Sequence, residues 1–177
     1  SLLAVLLAAF LHLLGFTMAG PITPALGVHF GIAGAKLGAL TSAYPLGMLG
    51  ALFIWPPLSD AVGRKPVIVA SLTGVGLGLV LQGVAVAKGW PLAAFLALRV
   101  ASGACACASP VSKAYIADAA TEEDLPKWMA WREAASTLAF IVGPSLGGVL
   151  FVELSLAHVI GLAGAASVAA GALLALV

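Results

Sequence analysis

Two ionisable side chains stand alone inside long apolar runs, and their chemistry constrains everything around them. Arg99 follows Leu92-Ala93-Ala94-Phe95-Leu96-Ala97-Leu98, and His12 follows residues 2 to 11, none of which is polar. A guanidinium offers five N–H donors and a fixed charge, which suits an anionic group or the electrostatic control of a nearby proton site. An imidazole can exchange a proton near neutral pH, or it can tie two helices together by a hydrogen bond. Gln82, in a third run, adds an uncharged donor and acceptor. No paired acids, His-Glu-x-x-His helix or serine with a positioned histidine accompanies them, so the chain is read as not an enzyme, with no metal site and no cofactor.

A second cluster occupies Pro56-Pro57-Leu58-Ser59-Asp60-Ala61-Val62-Gly63-Arg64-Lys65-Pro66. An acid stands four residues before a base around a flexible glycine. Such a turn can latch and release; equally, the two cations can serve only to hold the loop on one side of a membrane.

The elements that position these residues must be membrane helices. Of 177 residues, 62% are hydrophobic and 8% are charged, with a mean hydropathy of +1.15. A soluble domain of about 150 residues still exposes roughly 30% of its unfolded surface, so this composition excludes a water-soluble globule. Eight Lys and Arg against seven Asp and Glu give a net charge of +1, which excludes the basic field of a nucleic-acid binder. Cys105 and Cys107 would point about 200° apart on a helix, so they are read as packing residues rather than shared metal ligands.

A hydrocarbon core of about 30 Å takes roughly 20 helical residues to cross. Six apolar stretches meet this length, at about 2–20, 36–57, 66–87, 91–113, 128–150 and 155–177. Pro21 and Pro24, then Pro56, Pro57 and Gly63, then Gly89 and Pro91 are the predicted breaks. The longest polar break, Asp118 to Arg132, contains Thr121 and Asp124 as a capping pair for a predicted short interfacial helix. Arg64, Lys65, Lys113, Lys127 and Arg132 fall on one side and Lys36 and Lys88 on the other, which predicts both ends of the segment on the cytoplasmic side. Ser1 in place of Met, and an apolar run that continues to Val177, give both ends the look of cuts.

Arg99 then lies about 12 Å deep at 1.5 Å per residue, near the bilayer centre. Its charge costs about 2.5 to 3.5 kcal/mol there, so it should face protein or a water-filled cavity. Asp60, Asp118 and Glu133 are predicted near the inner face and Glu153 near the outer one, which leaves no acid at that depth. Backbone carbonyls, an acid from elsewhere or an anionic substrate would each satisfy it. Four-residue spacings of small residues (Gly74 and Gly78, Gly143 and Gly147, Gly161 and Ala165) predict close helix contacts, and Pro144 removes one helical hydrogen bond.

These motifs resemble the major facilitator superfamily. Leu58, Asp60, Gly63, Arg64 and Lys65 match its loop Gly-x-Leu-Ala-Asp-x-x-Gly-Arg-Lys, although Pro56 stands at the first Gly and Ala61 where a basic residue is common. Arg99 with Gly103 is similar to the family's Arg-x-x-x-Gly element, and Ala114-Tyr115-Ile116-Ala117-Asp118 ends the same span. Gly143-Pro144-Ser145-Leu146-Gly147-Gly148 resembles the antiporter signature Gly-Pro-x-x-Gly-Gly. Pro21-Ile22-Thr23-Pro24 is similar to a Pro-x-x-Pro of tetracycline and multidrug exporters.

The resemblance implies an all-α integral membrane fold, with six transmembrane helices as two three-helix repeats. Residues 1–177 would be the amino-terminal half of a twelve-helix transporter, packed against a second half around a midplane cavity. It implies a secondary active transporter working by alternating access, with proton-coupled export or antiport of a small anionic or drug-like molecule. Asp60, Arg64 and Asp118, with Gly63 and Lys65, would form a conformational latch. Arg99, His12 and Gln82 would serve the substrate or proton site, and Gly103, Gly143, Pro144, Gly147 and Gly148 would serve helix packing and gating. His12 stands where such exporters commonly carry an acid. The alternative is a membrane scaffold that keeps a half-transporter fold without transport.

Overall fold

Backbone N–H and C=O groups in hydrocarbon must be satisfied within the protein, and a helix does this locally. The computed structural model describes residues 2–176, and the described chain contains eight α-helices. These are α1 (Leu2–Met18), α2 (Thr23–His29), α3 (Leu37–Val62), α4 (Arg64–Ala87), α5 (Leu92–Ala104), α6 (Ala108–Ala119), α7 (Leu125–Glu153) and α8 (Leu156–Leu176). Five segments are long and apolar enough to cross a membrane, with α5 and α6 counting as one; α1 with α2, bent by 47°, supplies a sixth. The fold is therefore all-helical and membrane-spanning. Large apolar side chains such as Phe53, Val149 and Val152 are exposed on its outside.

The packing has an internal symmetry. The fourth helix packs along α8, α1 against α7, and α3 against α5. Counted as spans, these are three with six, one with five and two with four. Exchanging spans one to three for spans four to six turns the second pair into the third and maps the first onto itself. Because each repeat has an odd number of spans, the second enters from the side opposite the first, giving an inverted repeat.

Glycine makes these contacts possible, since helices in lipid associate through close van der Waals approach rather than hydrophobic drive. Between α3 and α5, Gly47 and Gly103 face each other; a Cβ on Gly103 would lie 3.1 Å from Gly47 Cα. At the related α1·α7 contact, a Cβ on Gly147 would meet the Met18 backbone at 2.9 Å. Between α4 and α8, a Cβ on Gly76 would meet the Gly164 carbonyl at 2.7 Å. Gly161 lies in this contact too, since a Cβ on Gly83 would come within 3.1 Å of Gly161 N, whereas Ala165 is exposed. Gly164, one turn on, continues the approach, and Ala163 turns to α1, where a Cβ on Gly15 would meet its carbonyl at 2.7 Å.

Three boundaries differ from the sequence expectation. The third helix runs through Pro56 and Pro57 to Val62, although the two prolines withhold N–H groups from the Leu52 and Phe53 carbonyls; the Ser59 hydroxyl donates to the Pro56 carbonyl at 2.8 Å. The fourth span is interrupted at Cys105 to Cys107. Pro110 has no N–H for the Ala106 carbonyl and its ring crowds that group, which disfavours an unbroken helix. The open backbone is met by side chains from neighbouring spans: Trp55 Nε1 donates to Ala104 O at 2.7 Å, and Ser71 Oγ donates to Cys105 O at 2.7 Å and accepts from Cys107 N at 2.9 Å. Finally, no separate interfacial helix forms after Asp118. Residues 121–124 are a turn in which Asp124 N donates to Thr121 Oγ1 at 3.2 Å, and α7 begins at Leu125 with Pro126 in its first turn, where its missing N–H costs nothing.

Gly63 is the whole connection between α3 and α4, at φ 103° and ψ 152°. A side chain there would meet nothing closer than Pro66 Cδ at 3.8 Å, so the requirement for glycine lies in the backbone angle rather than in space. Gly63→Ala is expected to lower stability by about 1 to 3 kcal/mol, the usual cost of such a backbone conformation. Thermal unfolding in detergent would reveal this as a reduced Tm, and an unchanged Tm would contradict it.

Candidate functional site

The inverted repeat leaves a cavity of about 350 Å³ toward the end of the bundle opposite the α3–α4 turn. Thr17 from α1, Thr41 and Tyr44 from α3, Gln82 from α4, Arg99 from α5 and Pro144 from α7 contribute to its wall. Arg99 and Gln82, placed separately by sequence, therefore share one chamber. Gln82 is buried, and its Nε2 donates to Ser102 Oγ at 2.9 Å. Ser102 Oγ in turn donates to the Leu98 carbonyl at 2.6 Å. This chain fixes the amide against α5 one turn from Arg99.

Arg99 itself is half-buried, with its guanidinium carbon 5.8 Å from the centre of the Phe95 ring. Its buried Nε has no hydrogen-bond partner, and no carboxylate among the described residues pairs with it. A cation over an aromatic face is partly stabilised. Arg99 forms part of the chamber wall, with no carboxylate among the described residues to neutralise it. Thr17, Thr41, Ser102 and Tyr44 were not singled out from sequence; a tyrosine in mid-span was the readable signal, because its hydroxyl needs a polar neighbour.

His12 does not join this chamber. It is buried, with Nδ1 3.4 Å from Ser167 Oγ of α8, a long contact between helices. It lines a second cavity of about 90 Å³.

At the turn, Arg64 pairs with Asp60 one helical turn earlier. Its Nε donates to Asp118 of α6 at 2.9 Å, and a terminal nitrogen donates to Ser59 Oγ at 2.7 Å. One guanidinium thus joins α3, α4 and α6. Lys65 makes no ion pair among the described residues. A second cluster nearby ties α6 to α7: Glu133 receives Lys113 Nζ at 2.9 Å and Arg132 at 2.8 Å, while buried Arg132 also reaches the Ser109 carbonyl at 3.3 Å. Sequence alone assigned Lys113 and Arg132 only to orientation, because their partners lie on another span.

The small residues fall in different environments. Gly103 and Gly147 lie in backbone contacts, and a Cβ on Gly143 would meet Leu14 O at 3.2 Å beside the Thr17 side chain. Thr17 Oγ1 lies 2.9 Å from the Ala139 carbonyl across the same interface. Gly148 has nothing within 4 Å of an added Cβ.

Fold and site together define a multi-pass membrane protein with a largely apolar chamber that carries Arg99 and Gln82 at one end of an inverted repeat and a charge cluster at the other. The sequence matches the Major Facilitator Superfamily over residues 5–177, and the chain belongs to that family of transport proteins. It is 32% identical over 114 residues to the class G tetracycline resistance protein of Vibrio anguillarum, covering 64% of this chain and 28% of that protein. It is 28% identical over 146 residues to multidrug resistance protein 2 of Bacillus subtilis, covering 80% and 34%. A mouse major facilitator superfamily domain-containing protein 10 is 33% identical over 117 residues, covering 66% and 25%. The matched region thus spans about a quarter to a third of these relatives' length.

The glycine environments give a paired prediction. Gly147→Ala forces α1 and α7 apart and is expected to cost about 1 to 3 kcal/mol. Gly148→Ala, one residue on, should be neutral or stabilising by up to about 1 kcal/mol, because alanine is the better helix former. Thermal unfolding of the two variants should move in different directions; equal losses would contradict this packing.

Proposed function

We propose that this segment is the amino-terminal half of a secondary active transporter that moves a small molecule by alternating access, with proton-coupled export or antiport as its mode. The observation that carries the reading is Arg99: a cation with no carboxylate partner among the described residues, on the wall of a chamber between membrane spans. The substrate carries an anionic or strongly accepting group that Arg99 receives, with Gln82 as an orienting donor. The relatives named for tetracycline and multidrug resistance support a drug-like class.

A second six-helix half of the same protein completes the cavity. Asp60, Arg64 and Asp118 act as the latch, because exposed ion pairs contribute only about 0 to 1 kcal/mol and can break in each cycle. Gly63 sets the turn that brings Asp60 and Arg64 together, and Lys65 anchors it. Following the cation distribution, the latch and both ends of this segment face the cytoplasm. His12 has a supporting role through its contact with α8. Gly103, Gly143 and Gly147 keep the moving helices in close register, Pro144 permits α7 to bend, and Gly148 leaves room beside it.

The full-length protein in vesicles tests this. Uptake of tetracycline or another drug-like anion should accelerate under an imposed pH gradient. Hydrogen bonds to charged groups contribute about 1.5 to 3 kcal/mol, so Arg99→Ala should weaken substrate binding by about 10- to 100-fold. His12→Ala should reduce the response to the gradient. A carried substrate indifferent to the gradient would refute proton coupling, and normal transport by Arg99→Ala would refute its role.

A further inference from the structure

The Arg99 chamber and the His12 cavity are neighbours, and two side chains line both: Phe16 and Tyr44. Their rings lie 5.2 Å apart between centroids, inclined by 35°, in the tilted contact common to packed aromatics. We infer that Phe16 and Tyr44 form a barrier that divides the passage into two compartments, and that their separation gives the Arg99 chamber access to His12.

Three features support a movable partition rather than fixed core packing. The rings come from α1 and α3, whose principal partners lie elsewhere: α1 packs on α7 and α8, and α3 packs on α5. Parting them dismantles no principal helix interface. The pair is also asymmetric, since Tyr44 is buried whereas Phe16 is 36% exposed. Phe16 is therefore free on one side to swing, with Tyr44 as the fixed jamb. Finally, the inner compartment borders Ala106, Ala108 and Pro110, which lie in and just after the α5–α6 interruption. The side of the partition nearest His12 is thus built partly from a span that is already divided.

The division also orders events. A solute held at Arg99 and Gln82 is screened from His12 while the rings touch. This rests on reading the chain as half of a transporter, but the test below is chemical labelling and needs no transport, so its failure is distinguishable from a failed uptake assay.

The full-length protein, in a background free of other cysteines and including Cys105→Ala and Cys107→Ala, would carry either His12→Cys or Thr41→Cys. A charged methanethiosulfonate reagent is applied from the face opposite the latch. Thr41 is exposed on the wall of the Arg99 chamber, so Thr41→Cys reports both reagent entry and an intact fold. A minor open state is commonly populated at about 0.1 to 10%, so with both rings present His12→Cys should react about tenfold or more slowly than Thr41→Cys. Phe16→Ala and Tyr44→Ala should each remove most of that difference, whereas Tyr44→Phe, which keeps the ring, should preserve it. Where an alanine variant loses Thr41→Cys labelling through misfolding, Phe16→Leu provides the same comparison with a smaller change. Equal labelling of His12→Cys and Thr41→Cys with both rings present would overturn the partition. So would a labelling rate at His12→Cys that ring removal leaves unchanged while Thr41→Cys still reacts.

Discussion

A guanidinium cannot rest against acyl chains without a polar route for its hydrogen-bonding groups, and this requirement organises the bundle around Arg99. The span that carries it must turn that face inward, neighbouring helices must leave a space, and polar side chains must line it. All three conditions appear together in the chamber bounded by α1, α3, α4, α5 and α7. The Phe95 ring covers one side of the cation. Gln82 and Ser102 hold each other against the same helix. The lack of a carboxylate partner among the described residues separates Arg99 from Arg64 and Arg132, which both sit in ion pairs.

Such a space has to coexist with firm packing elsewhere, and glycine provides it. Backbones meet at Gly47 and Gly103, at Gly143 and Gly147 against α1, and at Gly76 and Gly164. The first two contacts are equivalent under the internal repeat, and the third lies on its axis. Rigid contacts on each side of the chamber leave charge clusters to manage one end. There Arg64 of α4 gathers Asp60 and Ser59 of α3 and Asp118 of α6, while Glu133 joins Lys113 to Arg132. The carboxylates of the Arg64 cluster are exposed, and ion pairs of that kind contribute only about 0 to 1 kcal/mol, whereas Arg132 is buried.

Much of this was readable in the residues because lipid imposes a minimum apolar length. The spans emerge from length alone, and the family follows from motifs at Asp60 to Lys65, Arg99 to Gly103 and Gly143 to Gly148. The α5–α6 interruption was missed because Cys105, Ala106 and Cys107 are as apolar as the helix they divide; Pro110, four residues after Ala106, was its one local signal. The Ser71 and Trp55 side chains that complete it come from other spans. The Pro56-Pro57 pair misled in the opposite sense: each proline removes one N–H from the ladder, yet α3 continues through both to Val62. Pairings across spans, including Gln82 with Ser102 and Arg132 with Ser109, leave no trace in local spacing. The four-residue rhythm of small residues found the right helices but not every contact residue: Gly161 packs near Gly83, whereas Ala165 is exposed and Gly164 continues the approach.

The central claim is that Arg99 faces an aqueous chamber rather than lipid. Arg99→Cys in the full-length protein, exposed to a charged thiol reagent and separately to a lipid-soluble one, measures this directly. The account predicts reaction with the charged reagent in at least one conformational state, with protection by a transported solute. A cysteine at this position that reacts only from the lipid phase, in every state, would contradict it.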